Sequence, residues 1–530
     1  MMTPNDVLAF GPQLFSGIIT LGTLLSTYYI VFVLPGWIKR LRTWQKYCAS
    51  HSKFSIEAGQ GQYLWLEDPW SKARNYWLCH HAAIKHVFSR AAISQTDHRA
   101  GFDWFHYAGW EIPTMDPKYK TTVRSADQTV HSRLARSRLA SLLDTVKGIG
   151  YSEIHRFKEA VGEGGGVVSL HTLMYRLGYN VNCIGIFGTQ LDHVETRVVV
   201  QSFTEDQHML FASFNWPLPI WLSTLILPGA RRTAKARKRL FNILFKWYKA
   251  GGVHAASPEL KAIVQVFEEV NASPDVGSKF LNMMMIAFLA NTPETLGWLF
   301  THITQAPRLF EKIREECDAL GEDYTFNNIN FKQATPHLYS AFFETFRLYV
   351  FTGTPATVIQ PCTLPGMGDQ VFQPGDILHS MGEAAAMDIE VYGPDAQLWK
   401  GHRFVEEGGE DLLKYDLTFG IGRSPCPGRN FAIAELCMLA ARMVQIFDFS
   451  EPHLTERLKF EDGDWDVGRR VHRAAPESEQ VVNIIDLDGK VRSIIYPGNA
   501  SDHGVPGMTA ANIPVYDFAC RLIPRNNNKA

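Results

Sequence analysis

The sequence is short of paired cysteines. Its cysteines stand at 48, 79, 183, 317, 362, 426, 437 and 520, and no two form a CxxC pair. That excludes a compact zinc site and gives no disulfide framework, so the bulk of the chain is expected to face a reducing compartment. A strong charge of one sign is also missing. The net charge is −2, whereas a general nucleic-acid binder is basic overall, so no nucleic-acid partner is expected. There is no internal repeat and no low-complexity tract. Strand-like segments are few and short, at 62–67, 355–360, 370–373 and 480–496. This speaks against a doubly wound parallel sheet. Charge of any sign is absent from Val7 to Ile38.

That uncharged run has a consequence for topology. Leu14 to Leu34 is long enough to cross a bilayer as a helix. Lys39, Arg40, Arg42 and Lys46 follow it, and Asp6 alone precedes it. The positive-inside rule then puts the N-terminus in the lumen and the body in the cytosol. A cleaved signal would need a positive leading region and a shorter apolar core. The expected organisation is a lumenal segment 1–13, a transmembrane anchor 14–34, a basic Pro-Gly linker 35–50, a body 51–498 and a polar, loosely held tail 499–530.

The body has enough apolar residues, 46 % of the chain, for a large core. Its pattern is mainly helical, with apolar helix-period segments near 127–147, 167–188, 232–249, 259–271, 277–305, 307–320 and 336–350. Phe211 to Leu227 combines Phe214, Trp216, Trp221 and Leu225 with prolines, and Arg231, Arg232, Lys235, Arg237, Lys238 and Arg239 follow. Aromatics beside cations suit a loop dipping into lipid. A buried loop followed by a solvated helix face suits the same residues equally well.

The most informative stretch is Phe419-Gly420-Ile-Gly422-Arg423-Ser-Pro-Cys426-Pro-Gly428, running into the apolar helical pattern Phe431, Ile433, Ala434, Leu436, Leu439 and Ala440. Glycines allow a backbone to lie against a flat macrocycle. A helix N-terminus stabilises a thiolate just before it. Cys426 is therefore a candidate axial ligand for haem iron. Upstream, Glu344 and Arg347 share a helix face at i and i+3 among apolar neighbours. Arg403 in Trp399-Lys-Gly-His-Arg-Phe404 follows a Gly-Pro-Asp-Ala turn.

This ordered set resembles the cytochrome P-450 family. Its haem loop reads Phe-x-x-Gly-x-Arg-x-Cys-x-Gly, with Ser424 here in place of the arginine and Arg423 one residue early. The resemblance runs from the anchor to about residue 496. It implies a mainly α fold, a helical prism with a small β-rich portion. It implies haem b held by the Cys426 thiolate, with Phe419, Gly420, Arg423 and Gly428 around the cofactor. It implies Glu344, Arg347 and Arg403 as a structural triad. Arg136 or Arg133, in His131-Ser-Arg-Leu-Ala-Arg136, would pair with a haem propionate or lie on a solvated basic face.

The distal helix departs from the family pattern Gly-x-Asp/Glu-Thr. It reads Phe288-Leu-Ala290-Asn291-Thr292-Pro293-Glu294-Thr295. Two registers are open: Glu294-Thr295 as the acid–alcohol pair, or Ala290-Asn291 in its place. Counting back from Ala306-Pro307 favours the second, and puts Thr295 one turn past the oxygen site. Small-residue-then-Asn, with Cys426-Pro-Gly-Arg-Asn-Phe-Ala, resembles the branch of prostacyclin synthase and the sterol 7-alpha-hydroxylases, in a fungal-type form. Asn291 both donates and accepts hydrogen bonds, so it can hold a water or a substrate oxygen. Pro293 removes a helix hydrogen bond. The resemblance implies a monooxygenase in the endoplasmic reticulum membrane, with its catalytic domain cytosolic, taking electrons from NADPH-cytochrome P-450 reductase and oxidising a lipophilic terpenoid or sterol. An isomerase or dehydratase that rearranges an oxygenated substrate without outside electrons is the alternative.

Overall fold

The computed structural model describes residues 63–67, 74–97, 120–191, 195–200, 225, 228–289, 291–327, 329–350, 355–380, 382–423, 425–455, 481–497 and 517–525. The expected span 14–34, the linker 35–50 and all of 211–227 but Leu225, 226 and 227 included, lie outside them. Among the described residues no helix is long and apolar enough to cross a membrane.

Helices form the body. In chain order the principal ones are α1 (His81–Phe88), α2 (Lys120–Arg133), α3 (Ala140–Val161), α4 (Leu170–Asn182), α5 (Pro228–Lys249) and α6 (Pro258–Glu269). Then come α7 (Pro274–Leu289), α8 (Thr292–Ile303), α9 (Pro307–Leu320), α10 (Pro336–Tyr349) and α11 (Arg429–Ile446). Starts are written locally: Ser257 caps α6 by accepting from Leu260 N at 3.2 Å, with Pro258 in the first turn. α5 shows a clean two-faced pattern. Thr233, Ala236, Leu240 and Leu244 are buried, while Arg231, Arg232, Lys235, Lys238 and Arg239 are exposed. The basic run is thus an exposed helix face. α10 and α11 are apolar nearly all round and are buried along most of their length, which places them at the centre.

Three small sheets flank the helices. The first has the order β1-β2-β6-β5-β3, made of Tyr63–Glu67, Arg74–Leu78, Ile377–Ser380, Pro355–Val358 and Thr96–Asp97. β2 and β6 run parallel, with Asn75 opposite Ile377, and the other pairs are antiparallel. The second is antiparallel in the order β4-β10-β7, from Gly166–Ser169, Asp517–Pro524 and Phe447–Thr455. The third is the hairpin β8 (Val481–Ile485) and β9 (Val491–Ile495).

Several expectations need correction. The segment 127–147 is not one helix: α2 ends at Arg133, Ala135 is extended, and a short turn at Arg136–Arg138 leads into α3. The start of 167–188 is strand β4, and 370–373 contributes a single bridge, Phe372 to Cys362. The segment 277–305 divides into α7 and α8. The tail 499–530 is not wholly loose. Its residues Asp517–Pro524 form the middle strand of the second sheet, with Phe518, Ala519, Cys520 and Leu522 buried. A short strand without strict alternation gives little periodic signal, so the pairing is invisible until its neighbours are known.

Candidate functional site

The glycine-rich loop, α11 and the junction of α7 with α8 enclose one cavity of about 280 Å³. Thr418, Phe419, Gly420, Cys426, Pro427 and Gly428 line it from the loop, and Ala432 and Leu436 from α11. Ala287, Phe288, Asn291, Thr292 and Thr295 line it from the junction, with Val130 and Leu134 at the end of α2 and Phe346 and Val350 at the end of α10. Cys426 is the sole ionisable side chain among these described lining residues.

The loop presents that cysteine. The Cys426 amide donates to the Phe419 carbonyl at 2.7 Å, which closes the loop, and Ala432 N donates to Gly428 O at 2.8 Å, which opens α11. Cys426 is exposed to the cavity. Burial among protein atoms pushes its free thiol up, while the Gly428 and Arg429 amides and the Arg429 charge favour the thiolate. Gly420, at φ +67°, keeps the cavity wall free of a side chain. A soft anionic donor at a helix N-terminus, glycine backbone and apolar walls together fit a haem with Cys426 as its axial ligand.

The other loop residues have different tasks. Gly422, at φ +60°, is needed for a protein contact, since a Cβ there would lie 2.1 Å from the Phe88 carbonyl oxygen. Arg423 is not among the lining residues. Its amide donates to Phe88 O at 2.9 Å, and its guanidinium donates to Val87 O and Thr96 Oγ1 at 2.9 Å each. Those carbonyls are the orphan acceptors at the C-terminus of α1, which a cation caps well. Arg136 is exposed on the turn after α2, and Arg133 is exposed too. The cation that sequence reading passed over is Arg429, whose guanidinium lies 5.5 Å from the Phe419 ring centroid. Its place in Cys-Pro-Gly-Arg was the available signal.

Glu344, Arg347 and Arg403 come together with no side chain more than 3 % exposed. Arg347 grips the carboxylate with Nε at 2.9 Å and Nη2 at 2.7 Å, and Arg403 Nε adds bonds at 3.0 and 3.1 Å. Lys400 N donates to Glu344 Oε1 at 3.0 Å. Asp395 takes Arg403 Nη1 at 2.7 Å, so the network holds a second carboxylate. It fastens α10 to the Gly-Pro-Asp-Ala turn, and none of its members lines the cavity.

At the distal junction Ala290 lies outside the described residues. Asn291 stands at the N-cap of α8, with Pro293 in the first turn. The Asn291 carbonyl accepts from Thr295 N at 3.0 Å and from Thr295 Oγ1 at 2.8 Å. Asn291 and Thr295 therefore share one cavity wall, and the two registers do not exclude each other. Glu294 is different. It is buried facing His171, with Nδ1 at 3.6 Å, and does not line the cavity. Adjacent helical residues point about 100° apart, so the acid and the alcohol part company here.

A second polar cluster lies behind the wall. Glu435 of α11 is fully buried, 253 residues from the Asn182 amide that donates to its Oε1 at 2.6 Å. Its Oε2 lies 3.4 Å from Thr292 Oγ1. Burial pushes this carboxyl up to about 8, against the opposing bonds from Asn182 and Thr292. Sequence reading missed all three residues. A glutamate inside an otherwise apolar helical run was the one visible hint.

Comparison with known proteins follows the same lines. A family model described as Cytochrome P-450 matches residues 70–473. A cytochrome P-450 monooxygenase of Penicillium decumbens is 26 % identical over 304 residues, 52 % of this chain and 54 % of the relative. The human 7-alpha-hydroxycholest-4-en-3-one 12-alpha-hydroxylase is 27 % identical over 300 residues, 53 % of this chain and 59 % of the relative. The chain thus spans only about half the length of these curated relatives. Among solved structures, the cytochrome P-450 CYP102L1 aligns with a TM-score of 0.60 at 15 % identity, covering 88 % of this chain and 92 % of that one. The retinoic acid-bound cyanobacterial CYP120A1 aligns with a TM-score of 0.56 at 18 % identity, covering 71 % and 83 %. At these identities the two structures speak for the fold alone.

Proposed function

The chain belongs to the cytochrome P-450 family, whose members bind haem through a cysteine thiolate, and from that membership we propose that it is a membrane-anchored monooxygenase of a lipophilic metabolite, a sterol or terpenoid. The observation that carries the reading is Cys426, open to a mostly apolar cavity whose far wall bears Asn291, Thr292 and Thr295. When bound, haem with an axial thiolate supplies the electron-accepting centre that activates dioxygen. The protein's own residues do the rest. The Gly428 and Arg429 amides steady the sulfur. Phe419, Phe346, Phe288 and Val350 exclude water and favour an apolar substrate. The Asn291 amide can hold a water or a substrate oxygen at the wall, and Thr295 Oγ1, bonded to the Asn291 carbonyl, holds the junction in shape.

The sterol class is supported by the relative named as a 12-alpha-hydroxylase. Membrane anchoring rests on the uncharged run 14–34 with its basic flank, and places the catalytic body on the cytosolic face of the endoplasmic reticulum. There it would meet NADPH-cytochrome P-450 reductase. One observation favours the second reading, a rearrangement of an oxygenated substrate without external electrons: no carboxylate is found among the described lining residues. Product analysis on a panel of sterols and terpenoids, with and without NADPH and reductase, separates the two. Oxygenated product only with NADPH supports the monooxygenase; rearranged product without it supports the isomerase.

A further inference from the structure

Behind the cavity wall two buried rings lie unusually close. The Trp298 ring of α8 stacks on the Tyr349 ring of α10, with centroids 4.2 Å apart and planes within 9° of parallel. Core ring pairs usually sit roughly 4.5–7 Å apart, offset or edge to face. The next ring is Tyr496, just past β9, 5.6 Å from Trp298 and half-buried. The inner end adjoins the cavity. Thr295 and Phe346 line it, and Trp298 and Tyr349 follow them by three residues, on the same helix faces. We propose that Tyr349, Trp298 and Tyr496 form a relay that carries electrons from a small thiol in solution to the haem cavity, and so give the protein a second, peroxide-reducing activity. Such a relay needs the haem that family membership brings. It does not depend on whether the substrate is oxygenated or rearranged.

A phenol gives up an electron readily only when its proton can leave at the same time. Tyr349 has a base in place for that proton. Its hydroxyl lies 2.7 Å from His302 Nε2. The imidazole is otherwise flanked by rings, with Trp399 at 4.9 Å and Trp298 at 6.3 Å, both near perpendicular. Burial, with His171 nearby, pushes His302 down to about 3, so the ring is neutral. With its hydrogen on Nδ1, a neutral imidazole takes the phenol proton at Nε2. An oxidised phenol is a far stronger acid than a buried imidazolium, so that transfer runs forward. The base is weak, so only a strong oxidant draws on Tyr349. The proton returns once the stacked indole replaces the electron.

The sequence of transfers balances. Peroxide in the cavity takes two electrons and two solvent protons, its O–O bond breaks, and two waters leave. For each electron, Tyr349 passes one inward and its hydroxyl proton to His302 Nε2. Trp298 refills Tyr349 and keeps its own N–H, and the proton comes back from His302. Tyr496 refills Trp298 and releases its phenol proton to solvent. One thiol then returns an electron and a proton to Tyr496, and two sulfur radicals join as a disulfide. One peroxide and two thiols thus give two waters and one disulfide. Thiols are the reductant that a reducing compartment supplies.

Freeze-quench electron paramagnetic resonance tests the relay in the haem-loaded protein mixed with hydrogen peroxide, without substrate or NADPH. The parent protein should show an organic radical whose hyperfine pattern changes when the chain carries ring-deuterated tyrosine. Tyr349→Phe keeps the stacked ring and removes the phenol. It should lose most of that signal, and its haem should bleach several-fold faster under peroxide. Tyr496→Phe, at the half-buried end, leaves the cavity untouched. Its radical should still form but outlast the parent's when glutathione is added, and glutathione consumed per peroxide should fall. A parent protein with no tyrosine-dependent radical overturns the proposal. So does a full signal with unchanged bleaching in Tyr349→Phe, or unchanged glutathione consumption in Tyr496→Phe, whichever variant is obtained folded. With no NADPH present, none of these outcomes depends on the reaction that the substrate undergoes.

Discussion

Glu344 is a charge that the core tolerates only because it is surrounded. Burial alone would raise its carboxyl. The Arg347 and Arg403 guanidiniums, with the bonds from Arg347 and Lys400 N, outweigh burial and hold it below its ordinary value. Removing the carboxylate leaves the buried Arg347 without its ion-pair partner and Arg403 with Asp395 alone, at a cost of roughly 3–5 kcal/mol. Glu344→Ala should therefore lose haem and fold poorly, measured as haem per protein after purification. A depressed carboxylate stabilises above its unfolded pKa, about 4.3, and that stability is lost as pH falls through the lower folded value. The gap in melting temperature between parent and Glu344→Gln should thus narrow in acid; a constant gap would assign the loss to packing. Cys426→Ala should retain the fold but lose the thiolate signature of the reduced carbonyl complex, and an intact signature would remove the ligand assignment. Cys426 and the triad were legible because motif spacing and order carry them. Arg423 and Gly422 were not, because their partners at Val87 and Phe88 lie over 300 residues away in sequence and no local pattern announces them.

Among the elements, the junction of α7 and α8 sets the chemistry. Asn291 offers its backbone carbonyl to Thr295, and both residues face the cavity. Asn291→Ala should keep the carbonyl spectrum and the fold, yet lower product per NADPH, because the group that holds a water or substrate oxygen is gone. Thr295→Val removes a hydroxyl from the same wall and frees the Asn291 carbonyl from one of its bonds. It should therefore also lower coupling, though less than Asn291→Ala, contrary to the mild effect that counting along the helix suggests. NADPH oxidation measured beside product in both variants decides their ranking, and a severe Thr295→Val beside a near-normal Asn291→Ala would reverse the assignment. Helix period revealed α5, α6, α9 and α10 within a few residues, since each buries one regular face or is apolar throughout. It could not show the interruptions after Arg133 and Leu289. There the backbone breaks, before Pro293 because proline supplies no amide for the preceding helix, and at Ala135, which is extended.

Over the whole molecule, the last strands are tied to the helical body by buried acids. Asp486, between β8 and β9, accepts from Arg308 N at 3.2 Å and Leu309 N at 3.0 Å, and so caps α9. Asp517, at the start of β10, does the same for α4, accepting from His171 N at 2.9 Å and from Thr172 N at 3.2 Å, with Thr172 Oγ1 at 2.7 Å. Both side chains are fully buried. Each satisfies orphan amides that no residue of its own helix reaches, and places negative charge at the positive end of the dipole. α4 carries Asn182 and His171, so its seating decides where Glu435 and Glu294 find their partners. The polar composition of 499–530 hid this, because a cap contributed from 346 residues away leaves no trace beside the helix it serves. Asp517→Ala should strand the amides of His171 and Thr172 and the Thr172 hydroxyl and cost roughly 1–3 kcal/mol, read as a lower urea midpoint with an unchanged slope. Ending the chain at residue 498 should do far more. It removes the middle strand of β4-β10-β7, leaves β4 and β7 without a neighbour in that sheet, and uncaps α4 in the same step. The shortened protein should fail to hold haem even though every residue lining the cavity is present. A truncated chain with normal haem content and an unshifted midpoint would show that the second sheet is an ornament on the fold rather than one of its fastenings.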